Sequence, residues 1–330
     1  MKVIVTGGTG FVGSHTVGAL VRHGHEVRVL ARRPEMVARV LAPLGVSADA
    51  VRGDVTDSES VATALDGCGA VIHAAAQIGV SSGVGAAREV NVDGTRNVLT
   101  QALKLQMDPI IYTSTISVYL PSSMPLISPD SPLTEPLSPY SASKYEAELL
   151  VREFQADGHP ITSLALGGVY GPHSPHLDSS FAAVLAALGS MMLVAPGGTT
   201  VVDVRDCAEL IARAMEPGRG PRRYLAGGRY VTWSDWVDVL SDAAGTEVVR
   251  QEVTVDDMIA LGREFDAQRL QGIDIDIPLT EEVAIVMTSC PPTDDAATLS
   301  DLDMEYRPTV ETFRDTVRFL RAEGHLPSSD

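Results

Sequence analysis

The 330-residue chain is poor in cysteine, in positive charge and in long apolar runs, and each shortage excludes something. Its three cysteines, Cys68, Cys207 and Cys290, are odd in number, widely scattered and at no metal-ligating spacing. That argues against a disulfide framework or a structural metal and implies reduced thiols in a cytoplasmic protein. Lysine and arginine total 25 against 43 aspartates and glutamates, a formal net charge of −18. Such a surface argues against nucleic acid or an anionic membrane as partner, and says nothing of fold. The most apolar stretch, Phe181 to Pro196, is interrupted by Gly189-Ser190 and is too short to span a bilayer. The first apolar run, Val3 to Val5, enters a glycine turn at once, unlike a signal peptide. What is left is a globular composition, 45% hydrophobic and 21% charged, enough for a sizeable core in one large or two closely joined domains.

The chain is organised around its start, MKVIVTGGTGFVG (Met1 to Gly13). Val3 to Val5 suit a buried parallel strand, and the turn after them spaces Gly7, Gly10 and Gly13 as T-G-x-x-G-x-x-G. A helical pattern follows, with Val17, Leu20 and Val21 apolar and His23-Gly24 as its end. Glycine at 7 and 10 lets the backbone approach a pyrophosphate, and the helix N-terminus offers N–H groups and a positive dipole end to it. Gly13 lets the helix pack closely on the strand. With a second strand at Glu26 to Leu30, this predicts a dinucleotide site rather than an ordinary tight turn.

Strand and helix patterns alternate onward: helix Glu35 to Leu41, strand Ala50-Val51, helix Ser58 to Leu65, strand Ala70 to Ala74, a helix through Val98 and Leu103, and strand Pro109 to Ser114. A long ordered loop at Leu120 to Pro139 precedes helix Ser141 to Gln155 and strand Ile161 to Leu166. The rhythm predicts an α/β fold, a Rossmann-type doubly wound parallel sheet with a smaller C-terminal α+β substrate domain. The expected boundaries are 1–166 for the dinucleotide-binding domain, with 201–227 returning to it, and 167–200 with 228–330 for the substrate domain.

In YSASK (Tyr140 to Lys144) a phenol and an amine stand four residues apart, on one face of a helix beginning near Pro139. A tyrosine of ordinary pKa, about 10, is a poor base at neutral pH. A nearby ammonium and an oxidised nicotinamide would lower that pKa and let the phenol exchange a proton with a carbonyl or hydroxyl oxygen.

With these residues in view, the chain resembles the extended short-chain dehydrogenase/reductase family over nearly its whole length. TGGTGFVG matches the cofactor turn, Gly53-Asp54-Val55 the adenine-contacting segment, and VIHAAA (Val71 to Ala76) the strand end along the cofactor. The segment from Asn91 to Asn97 matches the next helix, TSTISVY (Thr113 to Tyr119) the segment with the catalytic hydroxyl, and GGVYGP (Gly167 to Pro172) the loop beside the nicotinamide. The resemblance implies Thr115, Tyr140 and Lys144 as the catalytic set, with Ser114 as the fallback hydroxyl and Lys144 also on the nicotinamide ribose. It implies cofactor contacts from Gly7, Thr9, Gly10, Phe11, Val12, Asp54, Val55, Ala74, Ala75, Ala76, Gly167 and Val169, besides Tyr140 and Lys144. A homodimer through the helices carrying Asn91 and Tyr140 is a further implication.

The second strand is followed by Ala31-Arg32-Arg33 with no carboxylate before Glu35. An acidic residue there would accept from a ribose 2′-hydroxyl, whereas Arg32 and Arg33 suit a 2′-phosphate, so NADP(H) is favoured and NAD(H) stays possible. No lysine or arginine lies between His173 and Val204, while Leu177, Phe181, Leu185, Leu188, Met191, Met192 and Leu193 are available to line a pocket. That favours a small, largely apolar carbonyl or alcohol, as in the dihydroflavonol-reductase/aldehyde-reductase-like branch. The alternatives are a sugar-nucleotide epimerase or dehydratase, with Arg205, Arg222, Arg223, Arg229 and Arg263 folding back toward a diphosphate, and a non-catalytic NADP sensor. His173, His176 and Asp178 read as a loop at the pocket mouth, with no metal expected. His15 and His73 read as packed, and Asp203 to Asp206 as a segment docking the second domain.

Overall fold

The computed structural model describes residues 1–77, 87–275, 277 and 279–327. Seven strands form the main sheet: β1 (Lys2–Thr6), β2 (Glu26–Ala31), β3 (Asp49–Arg52), β4 (Ala70–His73), β5 (Ile110–Thr115), β6 (Ile161–Leu166) and β10 (Arg222–Ala226). Their order is β10-β6-β5-β4-β1-β2-β3, every pair parallel. The central strands are near-continuous apolar runs because both faces are covered; Val3, Ile4, Val5, Val71 and Ile72 are fully buried. On one face lie α1 (Phe11–Arg22), α2 (Glu35–Leu41) and α7 (Val204–Arg213), through Val17, Leu20, Leu41 and Leu210. On the other lie α3 (Ser58–Leu65), α4 (Gly94–Lys104) and α5 (Pro139–Ala156), through Leu65, Leu99, Ala147 and Val151. The chain leaves β1 for β2 and β3 on one side, then crosses to β4 on the other. The crevice at the carboxyl ends of β1 and β4 is therefore the topological switch point of the sheet.

The remaining strands are β7 (Gly168–Tyr170), β8 (Met192–Val194), β9 (Gly198–Asp203), β11 (Arg229–Thr232) and β12 (Arg250–Glu252). They make a small sheet in the order β11-β9-β7 and a parallel pair β12-β8. Since β9 stays in the small sheet as far as Asp203, the chain re-enters the large layer with α7 at Val204. Around the small sheets lie α6 (Ser179–Gly189), α8 (Trp233–Ala244), α9 (Val255–Leu270), α10 (Glu281–Ser289), α11 (Ala296–Asp301) and α12 (Thr309–Ala322). Their core joins Tyr170, Phe181, Trp236 and Phe313, with Trp236 edge-on to Phe313 at 5.4 Å.

A polar clamp holds the two parts together. Buried Asp203 caps α7 by accepting from the Arg205 amide at 2.8 Å, and accepts from Arg205 Nη2 at 2.7 Å and Thr312 Oγ1 at 2.9 Å. Arg205 also pairs with Asp315 at 2.7 Å, and the Arg307 amide donates to Asp206 at 2.8 Å. No helix among the described residues is long and apolar enough to cross a membrane.

Candidate active site

The glycine turn is shaped by backbone crowding. Gly7 has a left-handed φ of +73°, and a Cβ there would lie 2.5 Å from the carbonyl carbon and oxygen of Ala74. A Cβ on Gly13 would lie 2.1 Å from the Gly7 oxygen, so only glycine lets α1 begin this close to β1. Gly10 caps α1 with extended backbone and no side-chain bond to the first turn, and that turn carries no acidic residue. A Cβ on Gly10 would meet only the Gly7 oxygen, at 3.3 Å. The first-turn amides thus open onto a glycine cradle, the arrangement that receives a phosphate.

That cradle forms one wall of a cleft of about 340 Å³. Gly7, Thr9 and Gly10 line it from the turn, Arg32 from beyond β2, Asp54 and Val55 from beyond β3, and Ala74, Ala75 and Ala76 from beyond β4. Leu30, Ala31, Gly53, Gln77, Val90 and His176 line it as well. Phe11, Val12, Arg33, Gly167 and Val169 do not, and neither do Thr115, Tyr140 and Lys144. Phe11 is buried edge-on to Phe181 at 5.3 Å, and Val12 and Val169 pack between the two cores. Gly167 is held by main chain, where a Cβ would lie 2.1 Å from the Gly227 oxygen. Arg32 and Arg33 are both exposed, and among the described residues neither takes part in an ion pair. The Arg52 guanidinium donates to the Arg32 carbonyl at 3.1 Å and pairs with Glu35 at 3.6 Å, which leaves Arg32, among the described residues, as the cation lining the cleft. The shape, the uncapped helix end and the cationic rim fit a nicotinamide dinucleotide.

Thr115 ends β5, where its Oγ1 accepts from the Ser117 amide at 3.2 Å and starts the short helical turn Ile116–Tyr119. That turn packs against α5. A capping box between Ser138 and Ser141, with Pro139 in the first position, fixes the start of α5. Tyr140 is therefore the second residue of the helix, and Lys144 follows one turn later. Lys144 is buried, and its Nζ donates to Tyr112 Oη at 2.9 Å and the Thr113 carbonyl at 3.1 Å. Burial lowers its pKa to about 8 against the opposing pull of Glu148.

Among the protein's own groups, the influences on Tyr140 run the other way from a lowered pKa. Burial, and then the Asp178 charge, push the phenol up to about 12. The reason is geometric: the Lys144 amine is turned toward Tyr112 and Thr113, and the charge that acts on Tyr140 is a carboxylate. Ser114 turns away as an extended strand requires, and its hydroxyl donates to buried Glu148 at 2.7 Å.

The sequence profile of the NAD dependent epimerase/dehydratase family matches residues 3–227, a span that holds the cradle, Thr115, Tyr140 and Lys144. The chain belongs to this family. Among curated relatives it is 30% identical over 304 residues to a 2-alkyl-3-oxoalkanoate reductase of Stenotrophomonas maltophilia (strain K279a), covering 86% of this chain and 88% of that protein. It is 28% identical over 253 residues to sterol demethylase protein B of Methylococcus capsulatus (strain ATCC 33009 / NCIMB 11132 / Bath), covering 74% and 75%. Among solved structures, that of gox2253 is similar with a TM-score of 0.83 at 26% identity, covering 98% of this chain and 99% of that one. An epimerase/dehydratase family chain is thus an NAD(P)-dependent enzyme of the extended short-chain type, built on the Rossmann-like sheet described above.

For this family member, the hydrogen-bond and packing partners of several side chains around the site gave no local sequence signal. Asn91 sits in a π-helical turn, Glu89–Asp93. Its Oδ1 accepts from the Gln77 amide at 2.8 Å, and its Nδ2 donates to the Gln77 carbonyl at 3.1 Å and Ser143 Oγ at 2.8 Å. It therefore ties the cleft floor to α5. His73 is fully buried between Thr6 Oγ1 (2.7 Å) and Thr95 Oγ1 (3.0 Å), and burial followed by the Lys144 charge lowers its pKa to about 3. His15 holds the Pro172 carbonyl at 3.0 Å, and its pKa falls to about 4, chiefly through burial. His173, His176 and Asp178 separate: His173 lies edge-on to Phe319 at 6.0 Å, His176 faces the cleft, and Asp178 caps α6. Among the described residues no metal-holding group of His, Cys, Asp and Glu occurs. Phe181, offered by the sequence as a pocket wall, is instead fully buried between Phe11 and Phe319.

Proposed function

We propose that the chain is an NADP(H)-dependent oxidoreductase that interconverts a carbonyl and an alcohol on a small, largely apolar substrate, within the dihydroflavonol-reductase/aldehyde-reductase-like branch. The observation that carries this reading is that the five arginines the sequence offered to a diphosphate, Arg205, Arg222, Arg223, Arg229 and Arg263, all have protein partners. Between His173 and Val204 there is no lysine or arginine. Each arginine that could fold back is already engaged: Arg205 with Asp203 and Asp315, Arg222 with Asp301, Arg223 with Asp130, and Arg263 with Glu281. Arg229 donates to the carbonyls of Tyr306 and Arg307. A sugar-nucleotide diphosphate needs such groups, since it binds through charge-assisted hydrogen bonds. The 2-alkyl-3-oxoalkanoate reductase among the relatives acts on a compound that carries a ketone, which supports reduction of a carbonyl here.

A bound nicotinamide dinucleotide supplies or takes up the hydride. Its pyrophosphate would lie on the Gly7–Gly10 cradle, and a 2′-phosphate would meet Arg32 at the rim, with Arg33 beside it. Thr115 donates to the substrate oxygen and orients it toward Tyr140. With its pKa near 12, the Tyr140 phenol keeps its proton at neutral pH, which suits protonation of a carbonyl oxygen as charge develops on it. Lys144, whose ammonium has a third donor beyond those given to Tyr112 and Thr113, holds the nicotinamide ribose.

The test pairs two measurements. Denaturing freshly purified protein identifies any dinucleotide it holds, and a panel of aldehydes, ketones and 3-oxo esters is offered with NADPH or NADH. Carbonyl-dependent oxidation of NADPH is expected, with any released dinucleotide being NADP(H). Near-stoichiometric NAD, tightly held, with no carbonyl turnover would overturn the reading in favour of sugar-nucleotide epimerisation or dehydration.

A further inference from the structure

One buried carboxylate near the site has no part in the roles above. Glu148 lies one helical turn beyond Lys144 on α5 and is 2% exposed. An ionised side chain this deep is costly unless its oxygens are matched. Both are: Oε2 accepts from Ser114 Oγ at 2.7 Å, and Oε1 from Arg152 Nε at 3.2 Å. Arg152 Nη2 in turn donates to Tyr119 Oη at 2.9 Å. The chain Ser114–Glu148–Arg152–Tyr119 therefore joins the last residues of β5 and the turn after Thr115 to the helix that carries Tyr140 and Lys144. Ser114 precedes Thr115 directly, so the tie fixes the hydroxyl and the phenol in one frame.

We propose that Glu148 is a positioning residue, whose carboxylate, held by Ser114 and Arg152, locks α5 to the end of β5 and places a negative charge one helical turn from the buried Lys144 amine. The proposal rests on the reading of Tyr140 and Lys144 given above. Burial works against a charged Lys144, and Glu148 is the carboxylate that opposes it. The other groups facing this network do not supply that charge. Tyr112 on β5 is a buried phenol pushed up by burial, and His73 on β4 is held neutral by burial. Tyr140 on α5 is a protonated phenol, Tyr119 is a phenol raised by burial, and Arg152 and Arg223 are cations.

The full chain has three lysines, Lys2, Lys104 and Lys144, so lysine labelled with carbon-13 at Cε gives three resonances and two internal references. In the unsubstituted chain Lys144 is expected to titrate near pH 8. Glu148→Gln keeps the shape and is expected to lower that midpoint by about one unit, with Lys2 and Lys104 unmoved. Arg152→Gln removes a cation instead and is expected to raise it, which keeps the test available if the Glu148 variant does not fold. A Lys144 midpoint that moves in neither variant overturns the proposal. Kinetics with NADPH and ethyl 3-oxobutanoate separate the two roles of Glu148. Loss of the charge moves the alkaline limb of the kcat profile to lower pH, whereas a purely structural defect lowers activity equally at every pH. Should the unsubstituted chain turn over no carbonyl, the functional reading fails while the lysine titration still decides this one.

Discussion

Replacing Gly7 by alanine tests the cradle most sharply, because Gly24→Ala provides a matched control. Both glycines have left-handed backbones, φ +73° at Gly7 and +80° at Gly24. A side chain in that conformation costs about 1–2 kcal/mol, partly offset by about 0.4–1 kcal/mol from a stiffer unfolded chain. At Gly24 nothing lies within 4 Å of the added Cβ, so only that conformational cost applies. At Gly7 the Cβ would lie 2.5 Å from Ala74 backbone atoms and 2.6 Å from the Ala75 nitrogen, none of which can yield without moving the end of β4. Overpacking of this kind adds about 1–3 kcal/mol. Gly7→Ala should therefore lower the thermal midpoint by several degrees more than Gly24→Ala, at about 2 °C per kcal/mol for a chain of this size. It should also weaken dinucleotide binding tenfold or more, read from cofactor fluorescence, while Gly24→Ala binds normally. Equal thermal shifts and equal affinities would refute the close approach.

Two further outcomes follow from the charge arrangement. Arg32→Ala should raise the KM for NADPH roughly tenfold or more and leave NADH nearly unchanged, since a charge-assisted hydrogen bond contributes about 1.5–3 kcal/mol; an equal effect on both cofactors would remove Arg32 from the 2′-phosphate. His73 has a folded pKa of about 3, below its ordinary 6.5, so between those values the unfolded chain binds a proton that the native chain does not. Stability is therefore full above pH 6.5 and is lost as pH falls, by roughly 1.4 kcal/mol per pH unit from this residue. Urea unfolding of His73→Gln should show a slope between about pH 6 and pH 5 shallower by that amount, and an unchanged slope would contradict a neutral buried imidazole.

Much of this was legible in the sequence because it is local. The β1 turn, the alternating strands and the Tyr140–Lys144 spacing each follow from residues within one or two turns of one another, and the main sheet has the expected strands in a parallel order. What was not legible depends on distant partners. Nothing near Ser114 announces that its hydroxyl meets Glu148, and nothing near Gln77 announces Asn91. Phe181 has the composition of a pocket wall, yet two other rings, Phe11 and Phe319, claim it for the core. The Asp178 charge that acts on Tyr140 was not legible for the same reason. Spacing puts an amine nearby, but the Tyr112 hydroxyl and the Thr113 carbonyl take that amine, while Asp178 brings an opposing charge from another element.

The central claim is that Tyr140 moves the proton while a bound NADP(H) moves the hydride. The direct measurement is NADPH oxidation with a 3-oxo ester by the unsubstituted chain and by Tyr140→Phe, with NADPH affinity determined in the same samples. The account predicts turnover reduced by about a hundredfold or more in the variant, in line with loss of a general acid, and an affinity within a few-fold of the original. A variant that keeps most of its turnover at unchanged affinity would contradict it.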